Sequence, residues 1–522
     1  MKSVFTSTIA FFFVVLSFGQ CDLNGSLSVF GLTGDQTGHA VVESPDGGYF
    51  FLGVSANVDS RFMVVKTDEN LVKLWTKTYG SDYAVDGQAL VATSDGMGGC
   101  VFAGYELTSY RSAVCLRIDA DGNLIWSKKL PAFDNETPRN IFRTENGLFV
   151  LCVTTNSFGS GYADALVHVF DMNGYEIWSR TIGNGGNDHF YSGFQNSAGN
   201  YVLAGHSDYS MNGRQSWIVE LTTNGEVIRD VLFNDGANAY ISDMCQDANG
   251  FYYLTGCQLN SGTGDSWIAK LDSNYEIVWS KMISTTGNDR GLSVHLNNEG
   301  EVVFTSVSDG LGSLSSFLIT RLESTAGGFV SNSLIDYVNN ETTHILAKNA
   351  FMRSDNRIVV YGGTSSFGNG SENIMCMTDP CLMNDCTKEE NIQLINLNLV
   401  ESDASHNSLL LNDFFDVSFP VDILNITNLQ NTETCVYNGV SEVQIDHEIL
   451  IYPNPASGLL TLNVELNGLK KYQIFGMDGK LVKSGSFTSL ITELNVQELS
   501  SGIYIVEITG EREIHRSRFE KI

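Results

Sequence analysis

Ala239-Tyr-Ile-Ser-Asp-Met-Cys-Gln246, Phe251-Tyr-Tyr-Leu-Thr-Gly256, Ser266-Trp-Ile-Ala-Lys-Leu-Asp272 and Ile277-Val-Trp-Ser-Lys-Met282 are four short apolar runs in succession. Between them lie the turn Asp247-Ala-Asn-Gly250, a Gly/Ser stretch from Asn260 to Gly264, and the turn Ser273-Asn-Tyr275. Runs of this length, bounded by Gly, Asn and Asp, read as a four-stranded antiparallel meander. The third run ends on Asp272, and such an ending, on an acidic or small polar residue, recurs along the chain. It appears at Lys66-Thr67-Asp68, Arg117-Ile118-Asp119, Val169-Phe170-Asp171, Glu220-Leu221-Thr222, Lys270-Leu271-Asp272, Arg321-Leu322-Glu323 and Met377-Thr378-Asp379, at spacings of 51, 52, 51, 50, 51 and 56 residues.

A fixed period of this length means one supersecondary unit repeated, and a single four-stranded sheet must stack on neighbours to bury both faces. The expected fold is therefore all-β: a seven-bladed β-propeller over residues 20–380, with six or eight blades as alternatives. The seventh copy, Ile345 to Asp379, lacks an outer strand, while Ser26-Leu-Ser-Val-Phe30 is a spare one at the front of the chain. Joining the two would close the ring and leave no open edge at the seam.

At 522 residues the chain exceeds one ordinary core, and 51 Gly against 7 Pro suits many tight hairpins. A net charge of −30 argues against nucleic acid and against anionic membrane surfaces, and is compatible with divalent cations. The N-terminus reads as a signal peptide, residues 1–19. Lys2 starts it, Ile9 to Phe18 is its apolar core, and the small residues Ser17 and Gly19 place cleavage between Gly19 and Gln20. Cys21 invites a lipoprotein reading, which Gln20 before it does not suit. In an exported chain, ten cysteines make disulfides an expectation, among them a staple between Cys386 and Cys435.

Tyr79-Gly-Ser-Asp82, Ile182-Gly-Asn-Gly-Gly-Asn-Asp188, Asp46-Gly-Gly-Tyr-Phe-Phe-Leu-Gly53 and Asp119-Ala-Asp-Gly-Asn-Leu-Ile-Trp126 resemble the propeller repeats of secreted Bacteroidetes proteins. That resemblance spans roughly residues 25–380 and is silent on ligand. Gly122-x-x-x-Trp126 and Gly174-x-x-x-Trp178 also resemble the tryptophan-docking repeats of quinoprotein dehydrogenases, but with Asp and Gly spaced differently and no quinone pocket. The series Trp75, Trp126, Trp178 and Trp279, broken by Ile228, is read as aromatics packing blade against blade.

From Ile449 the texture changes to alternating strands with Gly-punctuated turns, a small β-sandwich over residues 445–522. Tyr452-Pro453-Asn454-Pro455, the Asp478-Gly479 hairpin, the Gly502-x-Tyr504 strand and Lys521 stand in the order of a type A C-terminal sorting domain of the type IX secretion system, which this segment resembles. The resemblance implies recognition by an outer-membrane translocon and removal by a sortase-like protease, leaving a cargo that is secreted or held at the cell surface. Residues 381–444 fit neither block and are expected to be a short β-rich spacer.

No nucleophile elbow, zinc signature, phosphate loop or dinucleotide fingerprint occurs. His168, inside a strand, reads as a packed core residue, and His189 after Asp188 is too slight a pair to assign acid–base work. One constellation repeats: Asp35, Asp86, Glu136, Asp188, Asn238, Asp289 and Glu341, one per copy, where an outer strand leads to the next inner one. Side chains of this kind in loops usually fix the turn by accepting backbone N–H groups. The rival reading is calcium, with Asp35, Asp86, Asp188 and Asp289 as ligands. Taken together, the chain is expected to be an exported, non-catalytic binding protein for a glycan or a surface protein. A polysaccharide-degrading hydrolase or lyase is the alternative.

Overall fold

The computed structural model describes residues 26–436 and 450–521, apart from short stretches within both ranges. The signal-peptide residues, Gly19 and Gln20 among them, lie outside the described set. The described chain is all-β and divides into two compact units, one up to Tyr437 and one from Asn438.

The first unit is built from five-stranded antiparallel sheets, seven among the described residues. The fifth sheet shows the pattern. Asn238–Gln246, Tyr252–Asn260, Thr263–Leu271 and Ile277–Ile283 pair in chain order, and Leu394–Asn396 adds a fifth strand outside. The inner strands of the seven sheets begin at Gln36, Val85, Glu136, Asp188, Asn238, Asp289 and Ile345, and each touches the next. The inner strand of the seventh also touches that of the first. In the seventh sheet the fourth strand is Ser26–Gly31, paired antiparallel with Glu372–Met377.

The acidic residue at each strand end has a local reason. The carboxylate of Asp119 accepts the backbone N–H groups of Asp121 and Asn123, at 3.0 and 2.8 Å. Asp68, Asp171 and Asp272 accept from the same two relative positions, and the Thr222 hydroxyl accepts from Glu226. A short acceptor at this place satisfies two N–H groups that the tight turn would otherwise leave unpaired.

Those turns dock the neighbouring sheet. The indole N–H groups of Trp75, Trp126, Trp178 and Trp279 donate to Ala120, Met172, Thr223 and Ser324 carbonyls, at 2.9 to 3.2 Å, each in the turn of the following sheet. Each ring lies against a glycine of that turn in the left-handed region, and a Cβ on Gly122, Gly174, Gly225 or Gly327 would stand 2.7 to 3.2 Å from the indole. Glycine is required here twice, for its φ and for the space.

The expected break at Ile228 is corrected by one residue: Arg229, opposite Glu220 as Trp279 is opposite Lys270, stands in the fourth sheet where its neighbours have Trp, and it is exposed. The turn that follows compensates. Tyr275 stands at the glycine position with φ +69°, its ring buried and stacked on Tyr252, its hydroxyl 2.9 Å from the Glu220 carboxylate of the fourth sheet. The first sheet follows one whose outer strand, Ser26–Gly31, holds no Trp, and its turn carries Leu71 with φ +64°, buried. Six of the seven junctions are thus filled from one side or the other.

The fifth strands come from residues 387–436, the stretch expected to be a separate spacer. Thr387–Lys388 joins the sixth sheet, Leu394–Asn396 the fifth, Val400–Asp403 the fourth and Asn407–Leu411 the third. Val417–Ser418 then joins the second, Asp422–Asn425 the first, and Gln430–Val436 the seventh, beside Ser26–Gly31. This belt visits the sheets in the order opposite to that in which the chain makes them, and covers the outer edge of each.

The expected disulfides are corrected for the described thiols. Cys100, Cys115, Cys152, Cys245 and Cys257 are free. Cys100 and Cys115 sit on adjacent strands but out of register, Cys115 opposite Ala103 and Cys100 opposite Ile118. Burial pushes both thiols upward, away from the reactive thiolate. Cys386 lies outside the described residues, and of Cys435 only its place in a strand is described.

The second unit is a small sandwich. One sheet holds Leu450–Tyr452, Leu459–Asn463 and Ile491–Asn495; the other holds Lys470–Gly476, Leu481–Phe487, Gly502–Thr509 and Ile514–Lys521. Leu460, Leu462, Ile474, Val506, Ile508 and Phe519 fill the space between them.

The junction rule generates a double-mutant cycle. Tyr275→Gly should destabilise the protein by about 3 kcal/mol, the scale for emptying a buried aromatic site. Arg229→Trp should be close to neutral in the wild type, yet restore about half that loss in the Tyr275→Gly background, a coupling of about 1–2 kcal/mol. Denaturant melts of the four proteins measure it, and strictly additive effects would refute the rule.

Candidate functional site

A cavity of about 360 Å³ opens among the inner strands, with lining residues from all seven sheets. A single device places the lining. In each inner strand the register slips near the middle, and the slipped residue has no partner opposite. In the first, third, fourth, fifth and sixth sheets that residue is His39, Arg139, Tyr191, Ser242 and Leu292. All five line the cavity. A one-residue bulge re-aims a side chain, and here it does so at one level of successive sheets.

The facing strand accommodates the kink with glycine. A Cβ on Gly205 would stand 1.9 Å from the His189 carbonyl, and one on Gly256 1.9 Å from that of Tyr240. Backbone that close excludes every other residue type.

Among the described lining residues Arg139 is the cation. Its Nε donates to the Thr154 hydroxyl at 3.0 Å, and its guanidinium lies over the Tyr191 ring at 5.7 Å. Thr154 Oγ1 also meets His189 Nδ1 at 2.6 Å. With one bond accepted from Arg139, that hydroxyl keeps a proton and a lone pair, and so meets a neutral His189 in either tautomer. Burial, with Arg139 and Arg214 nearby, depresses His189 to about 3, in keeping with that state. Burial also lowers Arg139, and among the described residues no carboxylate stands within ion-pair distance of it.

Asp243 stands two sheets away on the same wall. One carboxylate oxygen accepts the Ser192 hydroxyl at 2.7 Å and the other the Val294 N–H at 3.0 Å. Burial raises it, and nearby His295 opposes that rise. Beside it the hydroxyl of Ser242 is buried and makes no hydrogen bond within the protein; the same holds for the side-chain oxygen of Asn140.

The repeated Asp/Asn positions do something else. Among the described copies from Glu136 to Asp289 each opens an inner strand. Asp188 accepts the N–H of Asn184 and Asp289 that of Thr285, both at 2.8 Å, four residues back in the approaching loop. The Asn238 amide oxygen takes the N–H of Arg214 at 2.8 Å. Asp35 lies outside the described residues, and of Asp86 only its place in a strand is described. Among the described residues no cluster of three or more His, Cys, Asp or Glu is arranged to hold a metal.

Asp188 also belongs to a buried group that the repeat does not foreshadow. His406, from the belt, bonds Asp230 through Nδ1 at 2.8 Å and Ser207 Oγ through Nε2 at 2.8 Å, with Asp188 3.8 Å away. Trp217 packs tilted against the imidazole, ring centroids 4.4 Å apart, and donates to Asp230. The arrangement has the order of a Ser–His–Asp relay, but Ser207 is fully buried and no substrate reaches it. It pins the belt to the fourth sheet. His168 is likewise a core residue, bonded to Ser179 at 2.7 Å and depressed to about 3 by burial.

Of the sorting-motif residues, Tyr452 and Pro455 are exposed, and Tyr504 stacks on Phe519 while donating to the Ser500 carbonyl. Gly502 opens its strand, whereas Pro453, Asn454, Asp478 and Gly479 lie outside the described residues.

Two predictions concern the repeated positions. Asp188→Ala and Asp289→Ala should each lower Tm by similar amounts, unchanged between EDTA and calcium; a calcium-dependent gain that both variants lose would make the positions a metal site. Glu136, fully buried, is raised to about 7 by burial. A carboxyl raised on folding is protonated more readily in the native state, so its contribution is present below about pH 4.5 and lost as pH rises through 7. Glu136→Gln should therefore stabilise the protein at pH 8 by on the order of 2 kcal/mol and hardly at pH 4.5. Equal effects at both pH values would contradict this.

Comparison with known proteins bears on the second unit. Residues 450–519 match the family model of the secretion system C-terminal sorting domain, Por_Secre_tail. No curated protein matches the chain. Two crystal structures of Sqt1 from Chaetomium thermophilum align at TM-scores of 0.40 and 0.38 with 13% and 11% identity, covering 68% and 69% of this chain and 98% and 99% of theirs. The chain thus carries a sorting domain of the type IX secretion system, which indicates a protein secreted or displayed at the cell surface.

Proposed function

We propose that the first unit is a closed seven-bladed β-propeller and that the protein is an exported binding protein whose ligand enters the cavity among its inner strands. The cyclic order of inner-strand contacts and the N-terminal strand in the seventh sheet support the closed ring. The observation that carries the binding reading is a contrast between positions. Where the chain needs a turn fixed, copies repeat the same chemistry, as Asp68, Asp119, Asp171 and Asp272 do. At the bulges, where side chains face the cavity, they are His39, Arg139, Tyr191, Ser242 and Leu292, each different. A scaffold has no use for such divergence, whereas an asymmetric ligand does.

The cavity suits a saccharide-sized ligand better than the surface of another protein, which favours the glycan among the expected partners. A hydrolase or lyase would require paired carboxylates flanking the ligand, and among the described residues the lining contributes one carboxylate, Asp243, already bonded on both oxygens. The sorting domain supplies the route, and the type IX translocon and its sortase-like protease are the partners proposed for it.

Two measurements test these readings. In a type IX-competent host, a chain ending at Asp446 should accumulate in the periplasm; normal secretion of it would sink the role of the tail. On a glycan array, the full chain should bind a restricted set of saccharides, and Leu292→Trp, which fills the cavity, should bind none of them. Equal binding by this variant would move the site elsewhere.

A further inference from the structure

The cavity is chemically polarised, and the polarity names a ligand class. On the side of the third sheet stands Arg139, anchored at Nε by Thr154, braced by the Tyr191 ring and unmatched by any carboxylate among the described residues. A guanidinium held by its Nε edge keeps both Nη groups for a partner, and the planar fork fits the two oxygens of a carboxylate. The hydroxyl of Thr154 is itself held, accepting from Arg139 and bonded to His189, so the guanidinium is held in place before any ligand arrives.

On the side of the fifth sheet the groups are of the opposite kind. Asp243 is an acceptor whose oxygens are each taken once, and the Ser242 hydroxyl beside it is buried without a bond; the Asn140 side-chain oxygen, buried and unpaired too, lies on the third sheet next to Arg139. Buried polar atoms left unpaired are costly, and they are kept where a ligand satisfies them. An acceptor-rich end of this sort wants donors, and hydroxyl groups supply them while also accepting from Ser242. Leu90, Ile141 and Ala350 close the remaining wall with apolar surface.

We infer that the cavity binds a sugar acid, with its carboxylate on Arg139 and its hydroxyl groups toward Ser242 and Asp243. The inference rests on the binding reading above and narrows it. The net charge of −30 gives the cation its selective force: the protein as a whole repels anions, so an anionic ligand that binds must find a specific site.

Isothermal titration of the full chain with D-glucuronate, D-glucose and succinate tests the assignment. Glucuronate should bind, with glucose at least tenfold weaker. Arg139→Gln should lose the glucuronate signal by tenfold or more, the scale of a lost charge-assisted pair. Thr154→Val, which keeps the charge but frees it, should weaken binding severalfold and guards against an Arg139 variant that fails to fold. Succinate binding in place of glucuronate would keep the carboxylate pair and overturn the sugar. Glucose binding as well as glucuronate, abolished by Leu292→Trp and indifferent to Arg139→Gln, would overturn the inference while leaving the cavity as the site. Glucuronate binding untouched by either variant would overturn both, and absence of binding by all three probes at millimolar concentration would overturn the inference.

Discussion

The first unit depends on a contact between an aromatic ring and a turn. A four-stranded sheet has two faces to bury and no helix to cover them, so each sheet is only as stable as its junction with the next. Four junctions seat a Trp on a glycine turn, with the indole N–H tied to a carbonyl of that turn. Two others reverse the donor of bulk, placing Leu71 or Tyr275 on the turn at positive φ. The exchange shows that the constraint is volume at the junction, and that backbone strain of order 1 kcal/mol at a non-glycine residue is tolerated when the side chain fills the gap.

This explains which parts of the fold were legible in the sequence. Turn acids such as Asp68 and Asp119 serve contacts within two to four residues, so they recur on the period of the chain and can be read directly. The spare strand at Ser26 could be found because one copy visibly lacked its partner. The belt could not. Its strands are two to seven residues long, pair with partners more than a hundred residues distant in most sheets, and follow no period of their own. Disulfides were expected from cysteine number and compartment, but number says nothing of register, and Cys115 faces Ala103.

The site was less legible for a related reason. The repeat draws the eye to positions that are alike, and those turned out to hold loops, as Asp188 and Asp289 do for Asn184 and Thr285. The cavity is lined by positions that are unlike, displaced by bulges that no hydropathy pattern marks. Aligning the copies on their turn acids and asking where they disagree would have pointed to Arg139, Tyr191 and Ser242. His406 had no such signal, since its partners Ser207 and Asp230 lie 199 and 176 residues away.

The belt gives the molecule a direction under load. Gln430–Val436, its last strand, is joined to Ser26–Gly31, so a pull from the C-terminal end falls first on the seam where the chain's beginning is held. Strands pulled away from an edge one hydrogen-bonded pair at a time yield at low force. Beyond that seam the same pull reaches the first, second and third sheets in turn, each attached by a separate short strand. His406, locked between Asp230 and Ser207, is the rivet at which such peeling would stall. Tension on the tail is therefore relieved one sheet at a time along the circumference, and the wall of the cavity, on the inner strands, is the last part to feel it.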